Sequence, residues 1–266
     1  MVQKIIDAHQ HLEDLGELDK LTETYHRLGV VKSILLGHPP NRQSGNNEVV
    51  LAAHKREPDL YVPFVGFDLD RMNADELRRF RDDGFIGIKF IGPEKPYNDP
   101  AYFSVYEKAC ELGMPGLFHL GIVANFGPWR DCDSNQMRPI HLDHIARRIP
   151  EWKIIGAHLG NPWYEEATMS CRWNPNLFFD LSGSTLKKKT PEFLSSLLWW
   201  SDSTAYKSPD RTSAWEKIVF GSDVGTDQIE DVINDYRKLM DALQMPDELR
   251  EKIWCSRAAG IIGIDE

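Results

Sequence analysis

The chain has 266 residues, of which 41% are hydrophobic and 27% charged, and its formal net charge at pH 7 is -10. This acidic balance argues against a protein that wraps nucleic acid or coats an acidic membrane surface, because phosphate groups need a basic face. The four cysteines lie far apart without Cys-x-x-Cys spacing, so neither a zinc ribbon nor a disulfide framework is indicated, and a reducing compartment fits best.

Targeting and membrane signals are missing from the sequence pattern. The first residues lead straight into an apolar strand, with no basic region followed by an apolar signal segment. No run of about 18 uninterrupted apolar residues occurs either. We therefore expect a cytoplasmic protein.

Short apolar runs alternate with amphipathic segments along the chain. The apolar runs predict strands at residues 4–9, 30–36, 61–67, 85–91, 116–119, 153–158, 177–181 and 217–222. The amphipathic segments predict helices at residues 17–28, 47–56, 73–82, 102–112, 141–148, 191–200 and 228–243. The connection at residues 121–139 is long and rich in Asn, Asp, Pro and Gly, and the basic run 187–189 is interpreted as a solvated loop.

This alternation determines the predicted fold class, which is α/β. Nearly continuous apolar strands that alternate with helices imply a parallel sheet covered on its faces. Eight such units in this length predict a single (β/α)8 TIM barrel, regular or distorted, that spans residues 1–266 as one domain. The alternative is an open doubly wound sheet, which would usually carry a glycine-rich phosphate turn after its first strand, and none is present.

The active site of a barrel of this kind lies at its C-terminal face, where the strands end. The first strand ends in His9 and His11, which point to one side because side chains alternate along a strand. The fifth and sixth strands end in His119 and His158, and the last ends in Asp223. Each histidine alone would more often be a structural residue, and Asp223 alone could cap the next helix. Their joint placement predicts a divalent metal site at this rim.

The ordered motifs resemble the amidohydrolase superfamily, particularly its branch of aminocarboxymuconate-semialdehyde decarboxylase-like and amidohydrolase-related metal enzymes. The matching motifs are Asp7-Ala8-His9-Gln10-His11, Gly87-Ile88-Lys89, Phe118-His119-Leu120-Gly121, Gly156-Ala157-His158-Leu159-Gly160 and Gly221-Ser222-Asp223. The resemblance covers essentially the whole chain and implies that a zinc or similar divalent ion is held by His9, His11, His119 and Asp223. It departs from the family at Arg257-Ala258-Ala259, where an Asn-Ala pair is common.

The resemblance also implies the chemistry. Zinc lowers the pKa of its bound water to about 7, and manganese or iron would suit the same ligands. Asp223 would take a proton from the water, and His158 would act as an acid or base beside the ion. We expect a hydrolase for a small, carboxylated cyclic ester or amide. A non-oxidative decarboxylase is the alternative, and an inactive barrel that only binds a ligand is a third interpretation.

Further candidates surround the predicted site. Lys89 ends the fourth strand, where binuclear relatives carry a carboxylated lysine that bridges two metals. We expect one ion instead, and a lysine that anchors a substrate carboxylate or forms a hydrogen bond within the barrel. Arg130 and Arg138, in the long connection, could bind an anionic substrate. Trp163 could form an aromatic wall, and His38 could line the mouth or merely belong to a turn.

Asp7, on the same side of its strand as His9, would orient a ligand imidazole or close the barrel bottom. The expected partner is a small-molecule substrate, with no nucleic acid and no membrane, and a homo-oligomer remains open.

Overall fold

The computed structural model describes residues 3–40, 46–124, 127, 131–199 and 213–264. They include eight strands that form one sheet in the order β1 to β8, each parallel to the next. The strands are β1 (Ile5–Gln10), β2 (Val30–Leu36), β3 (Tyr61–Gly66), β4 (Gly87–Phe90), β5 (Gly116–Phe118), β6 (Ile154–Gly156), β7 (Leu177–Asp180) and β8 (Ile218–Val219).

The sheet curls into a nearly closed barrel, and backbone hydrogen bonds bridge the seam between its last and first strands. The Ala8 N–H donates to the Phe220 carbonyl at 2.9 Å, and the Asp223 N–H donates to the His9 carbonyl at 2.7 Å. The predicted (β/α)8 barrel is therefore confirmed.

Helices connect successive strands and cover the outside of the sheet. They are α1 (Leu18–Leu28), α2 (Asn47–Arg56), α3 (Ala74–Asp83), α4 (Phe103–Glu111), α5 (Pro139–Arg148), α6 (Tyr164–Trp173), α7 (Ser184–Lys188), α8 (Pro191–Leu197), α9 (Ile229–Ala242), α10 (Asp247–Glu251) and α11 (Arg257–Ile262). None of the helices in the described ranges is both long and apolar enough to cross a membrane.

The structure adds helices that the sequence pattern did not predict. Helix α6 fills the connection between β6 and β7, and α10 and α11 follow α9. The interpretation of the basic run 187–189 as a loop is wrong for its first two residues, which end α7. Their charged side chains remain compatible with a short helix because only Thr185 and Leu186 of α7 are buried.

Aromatic packing fixes the strands that carry part of the rim. Side chains alternate along β4, so Phe90 points toward the helices when its neighbour Lys89 points into the barrel. Phe90 stacks on Phe118 of β5 with ring centroids 4.6 Å apart. Behind them Tyr106 of α4 stacks on Trp152 at 5.4 Å. Each fully buried large side chain contributes about 1.5–3 kcal/mol, so the ends of β4 and β5 are held firmly.

Candidate metal centre

A cavity of about 270 Å³ opens at the C-terminal rim of the barrel. Its lining includes all six of the strand-end residues singled out in the sequence, His9, His11, Lys89, His119, His158 and Asp223. They come from β1, β4, and the segments that follow β1, β5, β6 and β8. The fold therefore brings together side chains that are far apart in the sequence.

Asp223 faces three imidazoles. Its Oδ1 lies 3.5 Å from His9 Nε2 and 3.7 Å from His11 Nε2, and its Oδ2 lies 3.7 Å from His158 Nε2. Its backbone is left-handed, with φ of 47°, a conformation that costs about 1–3 kcal/mol in a residue with a side chain. The alternative role as a helix cap is wrong, because Gly225 caps the short helix that follows.

The Nδ1 atoms of His9 and His11 have defined partners outside the cavity. His9 Nδ1 lies 2.9 Å from Asp180 Oδ2, and His11 Nδ1 lies 3.2 Å from the Leu36 carbonyl. His119 Nε2, in contrast, is buried without a hydrogen-bond partner among the described residues. An unsatisfied buried nitrogen costs about 1–3 kcal/mol, and a bound ion would remove that cost.

The donor set fits a divalent metal. Three imidazoles and one carboxylate suit zinc, manganese or iron and are too rich in nitrogen for magnesium or calcium. Ligand atoms of His9, His11 and Asp223 all lie within 4.8 Å of one another. His119 is not a member of this group. Its ring centroid lies 5.0 Å from that of His158.

Burial keeps the site ready for a cation. It lowers the pKa of His11 and His119 well below 6.5, and the positive charge of neighbouring histidines and Lys89 adds to this effect. Neutral imidazole is the form that binds metals. Burial also lowers the pKa of His158, although Asp223 and Asp180 oppose the shift.

Lys89 is a buried cation beside the same atoms. Its Nζ lies 3.5 Å from His9 Nε2. Burial lowers its pKa to about 8, whereas the carboxylates of Asp223 and Asp180 act in the opposite direction. A lysine with this pKa still carries a positive charge at neutral pH.

Asp180 is the residue that the sequence interpretation missed. It ends β7 and is fully buried. Burial alone would raise its pKa, but the charge and hydrogen bond of His9, followed by His158 and Ser182, hold that pKa well below its ordinary value. The sequence did contain a signal for Asp180, because it is a carboxylate at the end of the apolar run 177–180. The other candidate residues had been chosen because they lie at strand ends.

The hydrogen bonds of Asp7 go to backbone N–H groups and to hydroxyl groups. Its carboxylate accepts hydrogen bonds from the backbone N–H of His9 at 3.1 Å and of Ser222 at 2.9 Å, and from the Tyr25 hydroxyl at 2.9 Å. Burial raises its pKa to about 6. Asp7 thus joins β1 to the segment after β8, and Asp180 holds the His9 ring.

His38 lines the mouth of the cavity next to Glu13. Its ring stacks on that of His11, with centroids 4.6 Å apart and planes 2° apart. His11, Glu13 and His38 also group closely enough to be considered as metal ligands. However, nitrogen lone pairs lie in the ring planes, so two parallel stacked rings do not converge on one ion. The stacking therefore favours a role for His38 in holding the His11 ring over a role as a ligand of a second metal ion.

Arg138 and Trp163, named from the sequence as candidate substrate contacts, pack against each other outside the cavity lining. Arg138 pairs with Glu166 of α6, and its guanidinium lies over the Trp163 ring at 5.3 Å. Arg138 thus has partners in Glu166 and Trp163, and none of these three residues belongs to the cavity lining. Arg130 lies outside the described residues.

A family model described as amidohydrolase matches residues 39–259. The match includes the segments that carry His119, His158 and Asp223, whereas His9 and His11 precede it. No curated protein matches the chain.

Several solved structures are similar over almost the whole chain. A dihydroxybenzoic acid decarboxylase from Polaromonas, with bound manganese and the inhibitor 2-nitroresorcinol, has 14% identity and a TM-score of 0.70, covering 98% of this chain and 97% of that one. A putative 2-pyrone-4,6-dicarboxylic acid hydrolase from Pseudomonas putida has 15% identity and a TM-score of 0.68, covering 100% and 99%. A 5-carboxyvanillate decarboxylase from Sphingomonas paucimobilis has 12% identity and a TM-score of 0.69, covering 99% and 100%.

Proposed function

The chain belongs to the amidohydrolase family, and on that premise we propose that it is a metal-dependent hydrolase of a small, carboxylated cyclic ester or amide. One observation carries the proposal. The Asp223 carboxylate lies between the Nε2 atoms of His9, His11 and His158 in a cavity that also holds the buried cation Lys89. The candidate metal ligands, the candidate proton acceptor Asp223 and the candidate anion-binding residue Lys89 therefore line the same cavity.

We propose zinc as the ion, held by His9, His11, His119 and Asp223. When bound at such a site, zinc activates water at neutral pH and polarises a substrate carbonyl. The orphaned His119 Nε2 and the neutral imidazoles support this assignment. Manganese or iron would satisfy the same ligands.

Residues of the chain would carry out the proton transfers and orient the substrate. Asp223 Oδ2 accepts the proton of the attacking water, because this oxygen faces away from His9 and His11 and toward His158. His158 Nε2, 3.7 Å from that oxygen, then takes this proton from Asp223 and passes it to the leaving group. Lys89 holds the substrate carboxylate, which orients the scissile bond.

The walls set the size and character of the substrate. Ile91, Val123 and Ala124 provide an apolar side to the cavity. A space of about 270 Å³ lies just below the usual range of about 300–1,000 Å³ for ligand pockets, so a single small ring fits.

Non-oxidative decarboxylation is the second candidate. It requires a proton donor at a ring carbon beside an anchored carboxylate. Lys89 of β4 and His158, which follows β6, line the same cavity. Two of the structurally similar proteins are decarboxylases by name, although their low identity supports only the shared fold.

A paired assay tests these alternatives. The full-length chain, loaded with zinc or manganese, would be given 2-pyrone-4,6-dicarboxylate, 2,6-dihydroxybenzoate and 5-carboxyvanillate, with acid release and carbon dioxide release recorded separately. We expect acid release from the lactone, and its loss in Asp223→Asn. Carbon dioxide release from either benzoate without lactone hydrolysis would favour the decarboxylase. Failure on all three by a chain that holds metal would contradict the proposed substrate class.

A further inference from the structure

The two carboxylate oxygens of Asp180 serve two different histidines. Oδ2 lies 2.9 Å from His9 Nδ1. Oδ1 accepts hydrogen bonds from the Ser182 hydroxyl at 2.5 Å, from the Ser182 N–H at 2.9 Å and from the His158 N–H at 3.0 Å. Both oxygens of this carboxylate therefore accept hydrogen bonds.

The bond to His9 fixes the tautomer of that ring. An ionised carboxylate only accepts hydrogen bonds, so His9 Nδ1 must carry the hydrogen. In the neutral ring Nε2 then keeps its lone pair. That atom faces the cavity, 3.5 Å from Asp223 Oδ1.

Ser182 fixes the tautomer of His158 in the same way. A serine hydroxyl has one hydrogen, and Ser182 donates it to Asp180 at 2.5 Å. The oxygen of Ser182 can therefore only accept from His158 Nδ1, which lies 2.9 Å away. His158 Nδ1 carries the hydrogen, and Nε2 is left free opposite Asp223 Oδ2.

The surroundings keep this chain of hydrogen bonds in place. Asp180 and Ser182 are at most 1% exposed, so bulk water does not compete for their hydrogen bonds. Gly183 has a left-handed backbone, and a Cβ at this position would lie 3.3 Å from His158 Nδ1. His158 itself has φ of 60°, which turns its N–H toward Asp180.

We propose that Asp180 is a positioning residue that sets the tautomers of His9 and His158 together, directly for one and through Ser182 for the other. One carboxylate thus prepares both a metal ligand and the neighbouring acid-base group. His11 obtains the same tautomer independently, because its Nδ1 faces the Leu36 carbonyl. The inference goes beyond the proposed function, since it concerns which ring nitrogens are free whatever reaction follows.

The test reads the tautomers directly. Full-length chain labelled with ¹⁵N-histidine would be dialysed against a chelator and studied by long-range ¹H–¹⁵N correlation near pH 8, without any substrate. In the wild type we expect hydrogen on Nδ1 of His9, His11 and His158. In Ser182→Ala, His158 should shift toward the form with hydrogen on Nε2, while His9 stays unchanged. In Asp180→Asn, the amide oxygen should stay with the three donors that face Oδ1, so the NH2 group should face His9 Nδ1. His9 should then shift toward the form with hydrogen on Nε2, while His158 and His11 stay unchanged.

Zinc titration of the same variants supplies a second measurement. We expect Asp180→Asn to raise the zinc Kd by about ten- to a hundredfold, the usual effect of removing a partner of a ligand imidazole. The zinc Kd of Ser182→Ala should stay within about threefold of the wild-type value. The same is expected of Ser170→Ala, a control at another buried serine.

Two results would overturn the inference. One is a His158 that keeps hydrogen on Nδ1 in Ser182→Ala, or lacks it in the wild type. The other is a His9 that remains unchanged in folded Asp180→Asn. If Asp180→Asn fails to fold, Ser182→Ala still decides the His158 half. Because no turnover is measured, these outcomes are independent of whether the proposed hydrolysis is correct.

Discussion

His38 lies face to face with His11, with ring centroids 4.6 Å apart and ring planes 2° apart. His38 Nε2 is also 2.9 Å from Glu13 Oε1, and this hydrogen bond lowers the pKa of Glu13. His11 is therefore held by the Leu36 carbonyl at its edge and by His38 over its face. The stacked ring limits the orientations that the His11 imidazole can adopt before any ion binds.

Truncating His38 should therefore weaken metal binding modestly. An aromatic pair contributes about 0.5–1.5 kcal/mol, so we expect His38→Ala to raise the zinc Kd by about two- to tenfold. His38→Phe keeps a stacked ring but loses the bond to Glu13, and its Kd should stay within about twofold of the wild type. Chelator competition measures both values. An equal loss in the two variants would assign the effect to the Glu13 bond.

His119→Ala should remove the bound metal and abolish turnover while the barrel stays folded. The physical reason is that His119 Nε2 is buried and has no protein partner among the described residues, so it is available to an ion. Elemental analysis and far-UV circular dichroism are the measurements. His54→Ala is the matched control, since His54 lies on α2 and bonds the Tyr61 carbonyl. Full metal occupancy in His119→Ala would show that the ligand assignment is wrong.

Metal stoichiometry separates a mononuclear from a binuclear site. With one ion per chain, His158→Asn should keep the metal and lose about 10²- to 10⁴-fold in turnover, the usual value of acid-base assistance. Lys89→Ala should then keep the metal and mainly raise KM.

If a carboxylated Lys89 bridges two ions, both substitutions should lower the metal content per chain. Short carboxylic acids added to Lys89→Ala should then restore part of the metal content, because they can replace the bridging carboxylate. Two ions in the wild type, both lost or halved in Lys89→Ala, would contradict the mononuclear mechanism.

Lys89 should also give the metal-free chain a characteristic pH dependence. Its pKa is about 8 in the folded chain, compared with 10.5 for an ordinary lysine. The unfolded chain therefore binds more protons between these values, and stability rises with pH across this window. From pH 7 to 9.5 we expect the wild type to gain about 2 kcal/mol of unfolding free energy relative to Lys89→Met. Denaturant titration at the two pH values measures this gain, and an identical rise in Lys89→Met would exclude Lys89 as its source.

The sequence predicted the barrel and most of the cavity lining because both depend on local patterns. Apolar runs define the strands, and a parallel barrel gathers every strand end at one rim, so His9, His119 and Asp223 could be grouped without knowing any contact. The zinc assignment and the roles of these residues stay predictions.

Residues whose roles depend on a specific partner could not be predicted in this way. Asp180 ends a strand as His119 does, but its importance comes from hydrogen bonds to His9, His158 and Ser182, which only the folded chain brings near it. Arg138 was named as a candidate anion-binding residue because it lies in the long connection after β5. Its pairing with Glu166 could not be foreseen, since Glu166 lies on α6, a helix that the apolar pattern did not reveal.

The seam between β8 and β1 gives the candidate metal centre a second consequence. His9 and His11 belong to the start of the chain, and Asp223 follows the last strand, so an ion shared by them would cross-link the two edges of the sheet. Binding to the folded chain alone adds stability that grows with the logarithm of free metal concentration. The melting temperature, and with it the lifetime of the protein against proteolysis, would then follow the metal supply.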